Sequence, residues 1–217
     1  LTSNGDSDIF IAKLDSSGNW LWAKNAGGTD YDYGQGIAVD ASGNSYVTGT
    51  FGSTTATFGS TTLTSNGVYD IFVAKLDSSG NWLWAKNAGG TSFDYGSGIA
   101  VDASGNSYVT GYFADSATFG STTLTSYEYY DIFVAKLDSS GNWLWAKNAG
   151  GTSFDYGSGI AVDASGNSYI TGFFSDSATF GSTTLTSNGY CDIFIAKLDS
   201  SGNWLWAKNA GGTSFDY

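Results

Sequence analysis

Residues 131–151 read DIFVAKLDSSGNWLWAKNAGG, and four copies of this stretch begin at Asp8, Asp70, Asp131 and Asp192. The spacings between copies are 62, 61 and 61 residues, and the segment from AKL to AGGT is identical in all four. A second unit, GIAVDASGNSY, occurs three times and begins at Gly36, Gly98 and Gly159. Recurrence at such a regular period is typical of repeat architectures.

Each copy of the first unit predicts a β-hairpin. In the first copy, residues 8–14 alternate with apolar side chains on both faces, which indicates a strand covered on both sides. Gly18 lies in a short turn, and residues 19–25 predict the returning strand. The second unit predicts another hairpin, and residues 56–65 predict either a small extra hairpin or a packed loop. No stretch has helical periodicity, so the sequence predicts an all-β fold.

Four strands per repeat, joined by glycine-bounded turns, are typical of a β-propeller blade. Blades hide their apolar faces by stacking side by side, and the WLW tryptophans are expected in the core between them: Trp20, Trp22, Trp82, Trp84, Trp143, Trp145, Trp204 and Trp206. Four copies of one hairpin and three of the other predict about three and a half blades of four antiparallel strands. We divide the single array 1–217 into a partial blade, three blades and the start of a linker: 8–28, 36–90, 98–151, 159–212 and 213–217.

Both motifs resemble those of a known repeat. GIAVDASGNSYVTG, preceded by DYG, resembles the bacterial β-propeller repeat called SBBP, and DIFVAKLDSSGNWLW resembles the second half of the same repeat. The likeness covers nearly every residue outside the variable linkers. It implies propeller blades, a secreted or cell-surface bacterial protein, and no catalytic activity.

The charge of the chain limits its partners. Acidic residues number 20 against 8 basic ones, for a net charge of −12, which argues against nucleic acid and anionic membrane surfaces. No apolar run approaches the roughly 20 residues of a membrane span, so we expect no membrane insertion. All lysines occupy the two repeat positions of Lys13 and Lys24, and we expect them to pair with aspartates across strands.

Catalytic and metal chemistry are not expected. The chain has no histidine, the commonest general base, and later repeats do not keep the carboxylate pair Asp30/Asp32. Turns such as Asp15-Ser-Ser-Gly-Asn19 present oxygen atoms, but fewer than the six to eight that calcium prefers. We expect these side chains to cap their own turns. The predicted cofactor is therefore none, with calcium as the alternative.

Aromatic residues concentrate where the repeats differ, and these positions predict a partner surface: Tyr69, Phe113, Tyr127, Tyr129, Tyr130, Phe173 and Tyr190. Contacts between copies of the chain would give the same pattern. The sequence predicts a structural or interaction protein, part of an extracellular array that serves as scaffold, adhesin or fibre subunit. Its expected partners are other copies or further repeats. The alternative is a lectin-like module that binds a surface glycan through loop aromatics.

Overall fold

The computed structural model of the chain describes residues 1–217 and consists of 18 β-strands without a helix. The strands are, in chain order, β1 (Ile9–Leu14), β2 (Trp20–Ala26), β3 (Asp32–Val39), β4 (Ser45–Phe51), β5 (Thr55–Phe58), β6 (Thr61–Thr64), β7 (Asp70–Leu76), β8 (Trp82–Ala88), β9 (Asp94–Val101), β10 (Ser107–Phe119), β11 (Thr122–Leu137), β12 (Trp143–Ala149), β13 (Asp155–Val162), β14 (Ser168–Phe174), β15 (Ser177–Phe180), β16 (Thr183–Thr186), β17 (Asp192–Leu198) and β18 (Trp204–Ala210). The predicted all-β fold is confirmed.

Three four-stranded sheets follow one another along the chain, with strand orders β3-β4-β7-β8, β9-β10-β11-β12 and β13-β14-β17-β18. We call them the first, second and third blades. All their strand pairs are antiparallel, and the hairpin β1-β2 precedes them as a half-blade. The predicted architecture of about three and a half four-stranded blades is confirmed. No helix in the structure has the length and apolar character to cross a bilayer.

A small hairpin is inserted between the two central strands of every blade. It consists of β5-β6 in the first blade and β15-β16 in the third. In the second blade the hairpin is formed by extensions of β10 and β11 themselves, in which Phe119 pairs with Thr122. Its apolar side chains, such as Ala56 and Phe58, are fully buried. Residues 56–65 therefore form a packed hairpin rather than a loop.

The hydrophobic core lies between the blades. On β7, Val73 shares a cluster of buried residues with Phe133 of the second blade, whereas Phe72 shares one with Ile11 of the half-blade. Because successive side chains of a strand point to opposite faces, each such strand contributes to two interfaces. This arrangement explains why the sequence is apolar on both faces of these strands.

Two surfaces of the array have no neighbouring blade. The front face, on the half-blade, consists of Phe10, Ala12 and Leu14, and the Phe10 side chain is 71% exposed. The rear face, on β17 of the third blade, consists of Ile193 and Ile195, which are both exposed. The same repeat positions in the first blade are fully buried. The front and rear faces are therefore the two halves of one inter-blade interface.

The two tryptophans of each WLW motif occupy different places. The second donates its indole N–H to a serine carbonyl of the following blade, at 3.2–3.3 Å: Trp22 to Ser78, Trp84 to Ser139 and Trp145 to Ser200. The first packs edge-on against a phenylalanine of the inserted hairpin of its own blade, with centroids 5.3 Å apart: Trp82 on Phe58, Trp143 on Phe119 and Trp204 on Phe180.

Trp82, Trp143 and Trp204 also pack against buried clusters whose members come from two adjacent blades, as the sequence predicts for the WLW tryptophans. The prediction is wrong for Trp20, which is 70% exposed since no inserted hairpin packs against it. Trp206 lies edge-on to Tyr169 and has no following blade to which its indole could donate.

The expected pairing of lysines with aspartates is largely wrong. Three ammonium groups lie 4.7 Å from the centroid of a tyrosine ring: Lys75 over Tyr46, Lys136 over Tyr108 and Lys197 over Tyr169. The one ion pair joins Lys197 to Asp163 at 3.8 Å. The negative face of an aromatic ring attracts a cation, so these tyrosines take the place that carboxylates were expected to fill.

Candidate functional site

A continuous layer of aromatic rings covers the end of the blades where their first strands begin. Rings of adjacent blades contact one another there, and we call this surface the aromatic face: Tyr69, Phe93, Tyr95, Tyr112, Tyr129, Tyr130, Phe154, Tyr156, Phe173, Tyr190, Phe215 and Tyr217. Tyr31 and Tyr33 form a separate stacked pair at the equivalent place on the first blade.

The centre of the aromatic face joins the second blade to the third. Tyr95 stacks on Tyr112 with centroids 4.8 Å apart, Tyr112 meets Tyr156 edge-on at 4.5 Å, and Tyr156 stacks on Phe173 at 4.7 Å. Burial raises the pKa of Tyr95 and of Tyr112 to about 12, so both remain neutral phenols near neutral pH. The centre is thus a packed aromatic layer that keeps hydroxyl groups for hydrogen bonding.

Five predicted partner residues lie on this face: Tyr69, Tyr129, Tyr130, Phe173 and Tyr190. Among them, Tyr129 and Tyr190 are strongly exposed.

The prediction for Phe113 is wrong, because its side chain is fully buried in the core cluster that joins the first and second blades. Strand β10 continues through Phe113, so the side chain of Tyr112 points to the opposite face and joins the aromatic face instead. Tyr127 lies elsewhere, exposed beside a groove of about 410 Å³ that it shares with Trp204.

The sequence reasoning missed Tyr95, Tyr112 and Tyr156 as members of the aromatic face. Tyr95 and Tyr156 belong to the repeated DYG motif, which precedes the second predicted hairpin. The structure makes it the start of strands β9 and β13. The sequence does contain a signal for these residues: an aromatic residue follows the aspartate of this motif in successive repeats. Because equivalent positions of stacked blades are neighbours, such residues are expected to lie side by side.

The opposite end of the blades carries the Asp-x-Ser-Gly-Asn turns. In the turn after β7, Asp77 accepts hydrogen bonds from the backbone N–H of Ser79 at 2.9 Å and of Asn81 at 2.8 Å, and from the Asn81 amide at 2.9 Å. The bonds from Asn81 hold the pKa of Asp77 below its ordinary value. The same pattern recurs in the other turns, for example at Asp102. These carboxylates are thus occupied within their own turns.

Asp30 and Asp32 have different environments. Asp32 is buried and accepts hydrogen bonds from the Ser53 hydroxyl at 2.8 Å and the Gly28 N–H at 2.6 Å, whereas Asp30 is exposed. Burial raises the pKa of Asp32, and the charge of Asp8 adds to this shift. Asp32 therefore faces Asp8 of the half-blade. Equivalent buried carboxyl groups begin β7, β9 and β13, and another lies within β11.

A family model described as a beta-propeller repeat, SBBP, matches residues 21–50, 83–112 and 144–172. The chain is 28% identical over 234 residues to an uncharacterized WD repeat-containing protein of Acanthamoeba polyphaga mimivirus, covering 88% of this chain and 16% of that protein. It is 32% identical over 168 residues to the regulatory protein FlaEY of Caulobacter vibrioides, covering 74% of this chain and 18% of that protein. The matches indicate a repeat interaction domain with a non-catalytic type of fold.

Proposed function

Because this chain contains SBBP β-propeller repeats, we propose that it is a non-catalytic segment of an extracellular bacterial repeat array, which acts as scaffold, adhesin or self-assembling fibre subunit through docking of one blade onto another. The observation that carries the proposal is the complementarity of the front and rear faces. The partners are other copies of the chain or further repeats of the same chain.

The interior interfaces between blades support docking of a front face onto a rear face. Phe72, the counterpart of Phe10, is fully buried in a cluster that also contains Ile9 and Ile11. The rear-face residue Ile195 is the counterpart of Val73, which is fully buried in a cluster with Phe133. A rear face therefore accepts a front face in the geometry that two adjacent blades already use. Covering these exposed apolar side chains supplies the driving force.

We expect Phe10→Asp to abolish self-association of the 217-residue chain, because a carboxylate would then be buried in the docked interface. Sedimentation velocity over a range of concentrations measures the association, and electron microscopy distinguishes closed rings from filaments. The matched control is Leu144→Asp, at an apolar side chain on β12 that is exposed outside both end faces. A wild-type chain that stays monomeric at high concentration, or equal loss in both variants, would contradict docking through the end faces.

A second candidate function is carbohydrate binding on the aromatic face. The observation in its favour is the continuous aromatic layer with exposed rings at Tyr129 and Tyr190, since flat apolar rings with nearby hydroxyl groups suit the faces of sugar rings.

A glycan array tests this candidate, with Tyr129→Ala expected to remove sugar binding. Tyr127→Ala is the matched control, because this tyrosine is equally accessible yet does not belong to the aromatic face. Absence of glycan binding by the wild-type chain would leave blade docking as the function, and equal loss in both variants would place any sugar site elsewhere.

A further inference from the structure

One carboxylate oxygen is buried without a hydrogen-bond donor at the same position of every repeat. It is the Oδ1 atom of the aspartate at or just before the start of β1, β7 and β17 and at the equivalent position within the longer strand β11: Asp8, Asp70, Asp192 and Asp131. A buried acceptor without a partner is costly. Its recurrence in all four copies makes it a property of the repeat rather than an accident of one site.

This oxygen lies beside a second carboxyl group that belongs to the following blade. A parallel bridge pairs Tyr69 with Phe93, which places the next residues, Asp70 and Asp94, side by side. A Cβ atom built on Gly89 would lie 2.5 Å from Asp70 Oδ1 and 2.9 Å from Asp94 Oδ2. The two carboxyl groups therefore converge on one side of Gly89, where only a glycine fits.

The same convergence recurs at other junctions between blades. The counterpart glycines have the same pair of carboxyl groups around them: Gly27 has Asp8 and Asp32, and Gly150 has Asp131 and Asp155. At the rear of the array, a parallel bridge between Cys191 and Phe215 places Asp192 and Asp216 in register.

The remaining donors around the pair are already used. Asp70 Oδ2 accepts from the backbone N–H of Asn66 at 2.9 Å and from its amide at 3.2 Å, and Asp94 Oδ2 accepts from the N–H of Gly90 at 2.7 Å. Burial raises the pKa of Asp70 to about 6. Burial, aided by the charge of Asp70, raises the pKa of Asp94 to about 7.

The groups that face the pair from neighbouring strands add no positive charge. Asp115 on β10 and Tyr130 on β11 both face Asp94, and the contacts of Asp70 are with the amides of Asn66 and Asn87. Two carboxylates side by side in such surroundings cannot both remain ionised without strong repulsion.

We propose that each junction between blades binds one proton, held between the donor-free oxygen of the first aspartate and the facing carboxyl group, and that this proton fastens adjacent blades together. A carboxylic acid has an O–H that donates, so one proton turns the unpartnered acceptor into a donor and removes the repulsion. A divalent cation fits less well. The structure has no group of three or more acidic, histidine or cysteine side chains that could hold one, and calcium requires six to eight oxygens.

The proton makes folding stability depend on pH in a defined direction. The pKa values of Asp70 and Asp94 are above the ordinary value of 3.8 in the folded chain, so the folded state binds more protons than the unfolded one. The stability due to these protons is fully present below pH 3.8 and is lost as the pH rises through about 6 and 7. The blades therefore hold together best in mildly acidic solution.

The test is the melting temperature of the full chain between about pH 5 and about pH 8.5, with Asp70→Asn as the variant. We expect the wild-type value to fall by at least about 4 °C as the pH rises. Asparagine has the same shape, no charge and an N–H that can replace the proton. Asp70→Asn should therefore melt higher than wild type at the alkaline end and depend less on pH. Asp77→Asn is the matched control, because this turn carboxylate is ionised throughout the range, and it should keep the wild-type pH dependence.

A direct readout avoids reliance on one variant. Carbon-13 NMR of the aspartate carboxyl carbons of the wild-type chain should show groups that titrate between about pH 6 and 7. Titration of all aspartates below about pH 5 would overturn the proposal, as would a melting temperature that stays level or rises with pH. Calcium chloride is added at the alkaline end as a further arm. Recovery of the lost stability by calcium and its reversal by a chelator would show that the pair binds a cation instead.

Discussion

Replacing Phe133 with alanine is expected to lower the free energy of unfolding by about 3–5 kcal/mol. The side chain is fully buried, lies 5.0 Å from the ring of Phe119 between centroids, and belongs to the core cluster that joins the first and second blades. Its removal leaves a cavity that the surrounding strands cannot close, since backbone pairing on both sides fixes them. Urea unfolding followed by tryptophan fluorescence measures the change.

Phe10→Ala is the matched control, because Phe10 holds the same repeat position but is 71% exposed on the front face. In dilute solution we expect it to change the free energy of unfolding by less than about 0.5 kcal/mol. The contrast between two equivalent phenylalanines measures the combined contribution of the neighbouring blade and of the inserted hairpin, since Phe10 has neither. Equal destabilisation by both substitutions would mean that the core lies within blades rather than between them.

The second large effect is expected from Trp145→Ala, at about 3 kcal/mol. The indole N–H of Trp145 donates to the Ser200 carbonyl of the third blade at 3.3 Å, and its ring lies over Gly202, where an added Cβ would come within 2.9 Å. The substitution removes both the hydrogen bond and the contact with the next blade. Thermal or urea unfolding provides the measurement.

Trp206→Ala controls for the contacts within a blade. Trp206 keeps the edge-on contact with a tyrosine that Trp145 also has, at 6.3 Å in both cases, but lacks a following blade. We expect its replacement to cost about 1 kcal/mol. If Trp206→Ala proved as costly as Trp145→Ala, the bridge to Ser200 would contribute nothing measurable.

The blades could be predicted from the sequence because the features that specify them lie within short stretches of the chain. Alternating apolar residues, glycine turns and a regular period each specify hairpins, and hairpins with two apolar faces must stack. The same local rules failed at Phe113. The sequence shows two adjacent aromatic residues, Tyr112 and Phe113, but not where the strand ends. Only the pairing of Phe113 with Asp131 in the structure fixes which side chain points inward.

The buried carboxyl pairs could not be predicted in this way. Asp70 and Asp94 begin strands of different blades, and each alone resembles an ordinary strand-flanking aspartate. They meet because a parallel bridge between Tyr69 and Phe93 crosses the junction, which is a consequence of how blades stack. Likewise, the sequence does not show that the ammonium group of Lys75 lies over the ring of Tyr46 instead of beside a carboxylate, because tertiary packing determines this contact.

Each match to the beta-propeller repeat is out of phase with the blades. The segment 21–50 includes most of β2 of the half-blade and then β3 and most of β4 of the first blade. One repeat therefore contains the last strand of one sheet and the first two strands of the next. Gaining or losing a whole repeat therefore changes the length of the array while every junction keeps its composition. Recombination between the near-identical copies would yield longer or shorter chains that still fold. Adding or removing one repeat would therefore change the length of the array without changing the fold of its blades.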